Sequence, residues 1–468
     1  MAADRTSHVI AFAGEEASNQ VRRQIGDTEP HSLRTYTPTQ AVLERSAGVF
    51  HWTPEGRRLY DYTSGVLVAN LGHNPVSWLR RFRGYLGWDQ GPSTSDAGFM
   101  TAVSLTAYNA LTPLEAEASS RLAASLQNSP GGGRLESVIW AASGSEAVQK
   151  ALWACMRRDP ARPGVLATRF GFHGKKGLSG AVTGSEQDGE RDPRVRFLTF
   201  PRDECSDLET PEKPFAADFY RQELEDVVEA AEHPIGCLIT EPYLGGGGSY
   251  HPPAEYLQLL QRFCRDRDIL FILDEVQSNF GRTGPMYAFE KYGLEPDFVC
   301  LGKGLGNGVP VSAAVGRRDI CELMGYGDTS DTWSANPLSS AAVLATLDEF
   351  ENTDILARTG ELEQIFIPAL CALKQTGVIR RVRGEGMVYG IECADFGSTE
   401  AAHVANAVVQ RCYVGDERGN GIHLLGPLAG RVIRVSPPMC MTDEQAHDSL
   451  RLLREMLVDV SRQLAPGQ

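Results

Sequence analysis

Seven short apolar segments, separated by helical patterns, dominate the sequence between residues 135 and 316. Strands that are apolar throughout and alternate with helices are typical of a mainly parallel sheet covered by helices on both faces. We therefore predict an α/β fold with a seven-stranded sheet. The segments are SVIWAA (137–142), GVLAT (164–168), VRFLTF (195–200), GCLIT (236–240), ILFILD (269–274), DFVCLG (297–302) and PVSAAVG (310–316).

The two ends of the chain carry different patterns. The stretch GVFHWTPEGRRLYDYTSG, within residues 1–97, predicts two short strands around a P-E-G turn. Residues 345–468 predict two long amphipathic helices flanking strand-like pieces. We therefore predict a large domain at 98–344 and a smaller α+β domain built from 1–97 and 345–468.

Composition excludes several classes of function. A net charge of −15 without a basic cluster argues against a nucleic-acid partner, because binding duplex phosphates needs a clustered basic face. The apolar stretch VIAFAG near the start is too short for a signal peptide or a membrane span, so we expect a cytoplasmic protein without a membrane partner. Ten cysteines without a C-x-x-C pair, and no H-E-x-x-H, predict reduced thiols and no metal.

In open α/β sheets ligands bind beyond the carboxyl ends of the strands, so the residues that close each apolar segment are the candidates for a functional site. The first segment leads into SGSEAVQKALWACMRR, in which Ser143 and Glu146 fit a capping box. The exposed N–H groups and the dipole at such a helix start favour an anion. An ordinary helix cap without a ligand explains the same pattern.

The fifth segment ends in Asp274 and Glu275 after five apolar residues. A carboxylate at the end of a buried strand is unfavourable unless a cation or a set of donors compensates it. A buried salt bridge, a cap on the next helix and a cationic ligand such as a pyridinium ring are all compatible with the sequence.

The segment LGKGLGNGVP places Lys303 among glycines, 29 residues after Asp274, so both side chains should reach the same sheet edge. Gly304 stands where a phosphate-binding P-loop needs Ser or Thr, and a strand, not a helix, follows the glycines. A lysine in a poorly solvated loop can lose its proton and act as a nucleophile. An aldehyde cofactor with a phosphate and a protonated ring nitrogen would use all three sites.

In these motifs the chain resembles the class III aminotransferases, which are pyridoxal-phosphate enzymes of fold type I. The resemblance covers most of the chain and rests on SGSEA, GFHGKK, TEPYLGGGG, LDEVQSNFGRTG, LGKGLGNGVP and TWSANP in that order. It implies a transaminase that uses pyridoxal 5'-phosphate to move an amino group between an amino acid, ω-amino acid or amine and a keto acid or aldehyde by a ping-pong mechanism. It also implies a homodimer with shared active sites, possibly paired into a tetramer.

The resemblance also implies roles for individual residues. Lys303 would form the Schiff base and move a proton, Asp274 would pair with the pyridinium nitrogen, and Glu241 would border the substrate pocket. Arg434 would bind a substrate carboxylate, with Lys175 and Val66 also lining the substrate site. The implied cofactor contacts, with Thr332 contributed by the second subunit, are Ser143, Gly144, Ser145, Phe172, His173, Val276, Gln277 and Thr332.

Several of these residues have ordinary structural explanations as well. Phe172 could be core, Thr332 a turn residue, and Glu241 could pair with an arginine such as Arg282. Lys175 would add a cationic contact only if it faces the pocket rather than the solvent.

The sequence departs from the family at the substrate side. Gly246 occupies the place of a glutamate that neutralises the substrate-binding arginine in many members, which puts exchange of glutamate with α-ketoglutarate in doubt. An aliphatic wall from Val66 to Val68 disfavours ornithine or a diamine.

Alternative reactions on the same fold are decarboxylation, amino-group migration, racemisation and phospholyase chemistry. A non-catalytic scaffold is a third hypothesis, and the retained Lys303 argues against it.

Overall fold

A computed structural model describes residues 10–90, 99–189 and 191–465. Its strands form three sheets. The strands are β1 Arg45–Ala47, β2 Phe50–Trp52, β3 Arg58–Asp61, β4 Ser137–Ala141, β5 Gly164–Thr168, β6 Val195–Leu198, β7 Ile235–Thr240, β8 Leu270–Asp274, β9 Phe298–Leu301, β10 Ser312–Gly316, β11 Ile379–Glu385, β12 Val388–Cys393, β13 Asn420–His423 and β14 Val432–Val435.

The largest sheet has seven strands in the order β4-β10-β9-β8-β7-β5-β6. Each strand arises from one of the seven apolar segments, so the predicted α/β fold is confirmed. The neighbours from β9 to β6 pair in parallel, and only β10 runs antiparallel to both of its neighbours. Strands β5, β8, β9 and β10 are buried along their whole length, which explains why their sequences are apolar without alternation.

Helices cover this sheet and build the rest of the chain. The helix Ala254–Asp266, for example, buries Leu257, Leu260 and Phe263 at the helical spacing seen in the sequence. The helices are Glu16–Thr28, Val76–Tyr85, Pro113–Asn128, Gly144–Arg158, Gly177–Ala181, Ala217–Glu229, Ala254–Asp266, Ala288–Tyr292, Arg318–Cys321, Pro337–Asn352, Ile355–Ala372, Ala401–Val414 and Asp443–Leu464, with 3-10 turns at His31–Leu33, Trp88–Gln90, Lys303–Gly306 and Leu373–Thr376.

The two smaller sheets come from the ends of the chain. One has the order β1-β2-β3-β13, with β13 parallel to β3, so N- and C-terminal segments share a sheet. The other has the order β11-β12-β14. The helix Pro337–Asn352 runs across the domain boundary predicted at 344. The helix Ala401–Val414 was not predicted from the sequence. The boundary predicted at 97 lies outside the described residues.

The last helix begins as predicted. Thr442 and Gln445 form both hydrogen bonds of a capping box at its start. All ten cysteines are free, in agreement with the expected reduced thiols. Among the residues that the structure describes, no helix combines the length and the hydropathy that crossing a membrane requires.

Candidate active site

Three neighbouring parallel strands bring charged side chains to one edge of the large sheet. Glu241 directly follows β7, Asp274 ends β8, and Lys303 comes two residues after β9. Because β7, β8 and β9 pair in parallel, their carboxyl ends lie side by side. The expectation that Asp274 and Lys303 share a sheet edge is therefore confirmed.

Asp274 is buried and tightly held. Its Oδ2 lies 2.7 Å from Nδ1 of His173, and its Oδ1 accepts a hydrogen bond of 3.0 Å from the N–H of Val276. His173 is only 2% exposed, and its Nε2 has no hydrogen-bond partner among the described residues. Since a carboxylate only accepts hydrogen bonds, the proton sits on Nδ1 and His173 fixes the orientation of the aspartate.

Glu241 lies beside Asp274 in a buried pocket. Its Oε2 accepts a hydrogen bond of 2.9 Å from the N–H of Phe172, and its Oε1 accepts weaker ones of 3.3 Å from Gly245 N–H and Gln277 Nε2. Burial raises the pKa of Glu241 to about 7. Glu241 can therefore be protonated or ionised close to neutral pH.

The alternative pairing of Glu241 with Arg282 is wrong. Arg282 is fully buried, and its NH1 donates hydrogen bonds of 2.8 Å to the carbonyl of Met387 and 2.7 Å to that of Pro437. Its NH2 donates to Asn70 and Ser64, so Arg282 contacts no carboxylate at hydrogen-bond distance in the described part of the chain. The arginine thus has a structural role at the boundary between sequence-distant segments.

Lys303 sits in a strained and poorly solvated loop. Its φ of +49° lies in the left-handed region, which is uncommon for a residue with a side chain. Burial, assisted by the charge of Arg434, lowers the pKa of the Lys303 amine to about 8. Because of this lowered pKa, the amine is partly neutral near pH 8. No described residue accepts a hydrogen bond from it, and a neutral amine can act as a nucleophile.

The glycines around Lys303 allow close packing. A Cβ on Gly302 would lie 2.6 Å from Ser312 Oγ, and one on Gly304 would lie 2.6 Å from Asn70 Nδ2. Of the loop glycines only Gly308 has a positive φ, of +119°. Most of these glycines are therefore required for close approach of neighbouring segments rather than for an unusual backbone conformation.

The helix Gly144–Arg158 points its N-terminus towards the same strand edge. Ser143 and Glu146 form the predicted capping box. No hydrogen bond from the N–H of Gly144 or Ser145 to another described residue is present, so both are available to an anion. A Cβ on Gly144 would lie 2.9 Å from Val276 Cγ1, which places this helix start against the loop that follows Asp274.

Arg434 on β14 joins the site through a hydrogen-bonded chain. It is 4% exposed, and its NH1 donates a hydrogen bond of 3.1 Å to Gln277 Oε1, while Gln277 Nε2 donates to Glu241. Arg434 forms no ion pair with any described residue, and its buried Nε has no hydrogen-bond partner among them. Burial lowers the pKa of Arg434. Donors of a buried guanidinium that lack partners can bind an anion.

Two apolar side chains border the space between these groups. Phe172 is 40% exposed, and a Cβ on Gly246 would lie 3.3 Å from Phe172 Cβ. Val276 is half-buried and packs close to both Gly144 and Gly302. The structure thus places Phe172 and Val276 next to the loops that carry the polar groups, and their contact with a ring stays a prediction.

Three predicted site residues are not joined to this cluster. Thr332 is exposed, in a loop that Lys150 holds through a 2.7 Å ion pair with Asp331. Lys175 and Val66 are also exposed. Within the described ranges, no hydrogen bond or ion pair connects Thr332 or Lys175 to the catalytic candidates. Their roles stay predictions.

A left-handed turn next to the site was not predicted. Ser64–Leu67 have φ values between +48° and +68°. Only Gly65 adopts this conformation without a penalty of about 1–2 kcal/mol. Arg282 NH2 stabilises the turn through hydrogen bonds of 3.1 Å to Ser64 Oγ and 2.6 Å to Asn70 Oδ1. The single glycine in SGVL was the only local signal for this turn.

Tyr243 was also missed, although it follows the E-P pair directly. It is 1% exposed, its hydroxyl has no partner among the described residues, and its ring clusters with Leu67 and Val388. The ring stacks on His251 with centroids 4.3 Å apart. Burial raises the pKa of Tyr243, so the hydroxyl stays protonated and can donate a hydrogen bond.

Glu275 has a structural role instead. It is fully buried and accepts hydrogen bonds of 2.7 Å from the N–H groups of Ala288 and Phe289, at the start of the helix Ala288–Tyr292. Burial raises the pKa of Glu275 to about 8. Of the alternatives for the Asp274-Glu275 pair, a helix cap is the one that applies to Glu275.

Comparisons with known proteins show which family and which fold the chain matches. The family model described as aminotransferase class-III matches residues 98–457. The chain is 29% identical over 442 residues to a 4-aminobutyrate aminotransferase of Mycobacterium tuberculosis, covering 89% of this chain and 91% of the relative. It is 26% identical over 437 residues to an acetylornithine aminotransferase of Caldanaerobacter subterraneus, covering 92% and 97%. An amine transaminase from an uncultivated Pseudomonas species, solved in its PLP-bound form, superposes with a TM-score of 0.77 at 24% identity, covering 94% of this chain and 97% of that one.

Proposed function

Because the chain belongs to the class-III aminotransferase family, we propose that it transfers an amino group from a donor whose carboxylate binds Arg434. The chain is a pyridoxal-phosphate-dependent transaminase that acts on small amino and keto substrates. The finer assignment of the donor depends on one observation. The guanidinium of Arg434 is buried and donates a hydrogen bond to Gln277, and it forms no ion pair with a carboxylate of any described residue.

The residues of the site fit the cofactor. Free N–H groups at the start of the helix Gly144–Arg158 suit a phosphate, and the oriented carboxylate of Asp274 suits a protonated ring nitrogen. The unpartnered amine of Lys303 suits an aldehyde. When bound, pyridoxal phosphate supplies that aldehyde and a ring that withdraws electrons from the substrate.

We assign the holding of the cofactor to residues from several segments. Ser143, Gly144 and Ser145 would bind its phosphate, and Phe172 and Val276 would pack on the two faces of its ring. His173 would keep Asp274 oriented through the 2.7 Å contact. Gln277 already donates to Glu241 and accepts from Arg434, so its amide links cofactor and substrate sites.

Lys303 would act as the nucleophile and then as the proton carrier. With a pKa lowered to about 8, its Nζ is neutral in a large fraction of molecules near pH 8 and can attack a carbonyl carbon. The same Nζ can take a proton from the amine-bearing carbon of the substrate and return it to another atom. The left-handed backbone of Lys303, within a glycine loop, fixes the direction from which this amine approaches.

Arg434 would bind substrate carboxylates in both half-reactions. Gly246 carries no side chain that could neutralise the guanidinium of Arg434. The hydroxyl of Tyr243 and the Nε of Arg434 have no hydrogen-bond partner among the described residues. We therefore propose that the acceptor is a keto acid or aldehyde other than α-ketoglutarate. A bidentate contact to one carboxylate suits the forked guanidinium.

We also propose a homodimer in which Thr332 contributes to the phosphate site of the partner subunit. Support comes from the exposed position of Thr332 and from its exposed apolar neighbours Trp333 and Tyr326, because large apolar side chains at a surface favour an interface. A cytoplasmic location is part of the same proposal, supported by ten free cysteines.

A matched pair of donors tests the proposal. The holoenzyme is mixed with 4-aminobutyrate or with butylamine, without acceptor, and the visible absorbance of the bound cofactor is followed. We expect 4-aminobutyrate to discharge this band at concentrations at least tenfold lower than butylamine, because only it carries a carboxylate. Equal or better reaction of butylamine would contradict the role of Arg434. A Lys303→Ala variant serves as the control without the reactive amine.

A further inference from the structure

Two histidines and an aspartate lie together in the sheet β1-β2-β3-β13, outside the site described above. His51 is on β2, Asp61 ends β3, and His73 forms an isolated β-bridge with Gly48. Asp61 Oδ2 lies 2.7 Å from Nε2 of His73 and 3.4 Å from Nε2 of His51. One donor atom from each of the three residues lies within 4.8 Å of the other two.

The surroundings orient these side chains. Asp61 Oδ1 accepts hydrogen bonds of 2.7 Å from both the N–H and the hydroxyl of Thr63, which leaves Oδ2 directed at the imidazoles. Nδ1 of His51 lies 2.6 Å from Ser46 Oγ, so its Nε2 faces the aspartate. Metal-ligating histidines and carboxylates are commonly held in this way by second hydrogen bonds.

Two buried imidazole nitrogens in and beside this cluster have no hydrogen-bond partner among the described residues. His51 is 3% exposed, and its Nε2 makes no hydrogen bond of good geometry within the described ranges. His423 on β13 pairs directly with Asp61 across the sheet, and its buried Nδ1 also has no described partner. The His423 ring lies edge-on to the ring of His51, with centroids 5.5 Å apart, so it borders the cluster.

We propose that His51, Asp61 and His73 bind a divalent transition-metal ion, with zinc preferred, and that His423 or a water molecule completes the coordination. Imidazole and carboxylate donors suit zinc, whose bonds of about 2.0–2.1 Å place tetrahedral donors about 3.3 Å apart. The separations of 2.7 and 3.4 Å require only small side-chain movements to reach this value. The side chain of His73 is 17% exposed, which gives an ion access from solvent.

The sequence predicts no metal because these ligands form no short motif and come from β2, β3, a β-bridge and β13. A bound ion would connect these segments. It would also hold Asp61, which anchors Thr63 immediately before the left-handed turn Ser64–Leu67. The proposed site is therefore structural, and its loss should affect the stability of this sheet before it affects the chemistry at Lys303.

Cobalt titration of the holoenzyme tests the proposal. The protein is purified without a histidine tag, dialysed against a chelator and titrated with Co²⁺ while the visible d–d bands are recorded. We expect one equivalent of tetrahedral cobalt per chain, displaced by Zn²⁺, and a raised melting temperature with either ion. His51→Gln should weaken binding at least tenfold, whereas His403→Gln, at an exposed position, should bind like the wild type.

Two outcomes would overturn the proposal. If the wild type gives no tetrahedral cobalt bands, the cluster is a hydrogen-bonded network without a metal, and this result does not depend on whether any variant folds. If His51→Gln retains its fold by circular dichroism and binds cobalt as tightly as His403→Gln does, the ion binds elsewhere. Both results leave the transaminase assignment unchanged, because they measure neither cofactor absorbance nor turnover.

Discussion

Replacement of Arg434 by methionine should separate substrate binding from folding. Methionine keeps much of the side-chain volume and removes the charge and every donor. In the wild type the described partner of Arg434 is Gln277, at 3.1 Å, and its buried Nε has none. The arginine is therefore poorly satisfied in the free protein and becomes fully bonded only with an anion present.

The magnitude follows from these contacts. Hydrogen bonds to a charged group contribute about 1.5–3 kcal/mol, so losing the carboxylate contact should raise the Michaelis constant for 4-aminobutyrate by about 10–150-fold. Removing a desolvated cation gains about 1–3 kcal/mol, and leaving Gln277 Oε1 without its donor loses about 1 kcal/mol. Arg434→Met should thus leave the melting temperature unchanged or raise it.

Steady-state kinetics with matched donors and thermal unfolding provide the assay. We expect the Michaelis constant for butylamine to change by less than about threefold, because this donor makes no contact with Arg434. The reasoning is refuted if both donors lose affinity equally, or if the melting temperature falls by several degrees. Either result would mean that Arg434 stabilises the fold instead of binding substrate.

Four further predictions follow from the site. The rate at which the apoenzyme takes up pyridoxal phosphate should rise about tenfold per pH unit up to about pH 8, where Lys303 becomes neutral. Arg434→Met should move the midpoint of this pH dependence to higher pH, because it removes a nearby positive charge. Stopped-flow absorbance measures both effects. The same lowered pKa means that the folded apoprotein gains stability from about pH 8 to 10.5. Glu275→Ala should lower the free energy of unfolding by about 2–4 kcal/mol, because two buried N–H groups lose their acceptor. Urea denaturation measures this loss, and Glu275→Gln serves as a control that should destabilise the protein less. Gly302→Ala should weaken cofactor binding at least tenfold in equilibrium dialysis, and Ser312→Ala should partly restore it by removing the 2.6 Å clash.

The sheet and the strand-end residues were predictable because their causes are local. A strand buried on both faces is mainly apolar along its length, and β5, β8, β9 and β10 are of this kind. A carboxylate or a lysine immediately after such a strand can only lie at the carboxyl edge. The positions of Asp274 and Lys303 at one edge of the sheet therefore follow from the sequence alone.

Contacts between distant segments could not be predicted in the same way. The Arg434–Gln277–Glu241 chain joins residues from β14 and from the ends of β7 and β8, and no local pattern encodes that meeting. For the same reason the sequence suggested Arg282 as a partner of Glu241, whereas Arg282 donates to carbonyls on other segments. Charge alone indicates that a residue needs a partner but does not identify the partner.

Asn70 contacts both segments with left-handed backbone, the turn Ser64–Leu67 and the loop of Lys303. Its Oδ1 accepts from Arg282, which holds the left-handed turn Ser64–Leu67, and its Nδ2 donates a hydrogen bond of 2.9 Å to the carbonyl of Phe280. The same Nδ2 lies where a Cβ of Gly304 would fall, at 2.6 Å. The turn and the loop of Lys303 therefore pack on one buried amide. A left-handed lysine persists only where its surroundings fix it, so we expect the turn Ser64–Leu67 and the position of the Lys303 amine to depend on each other.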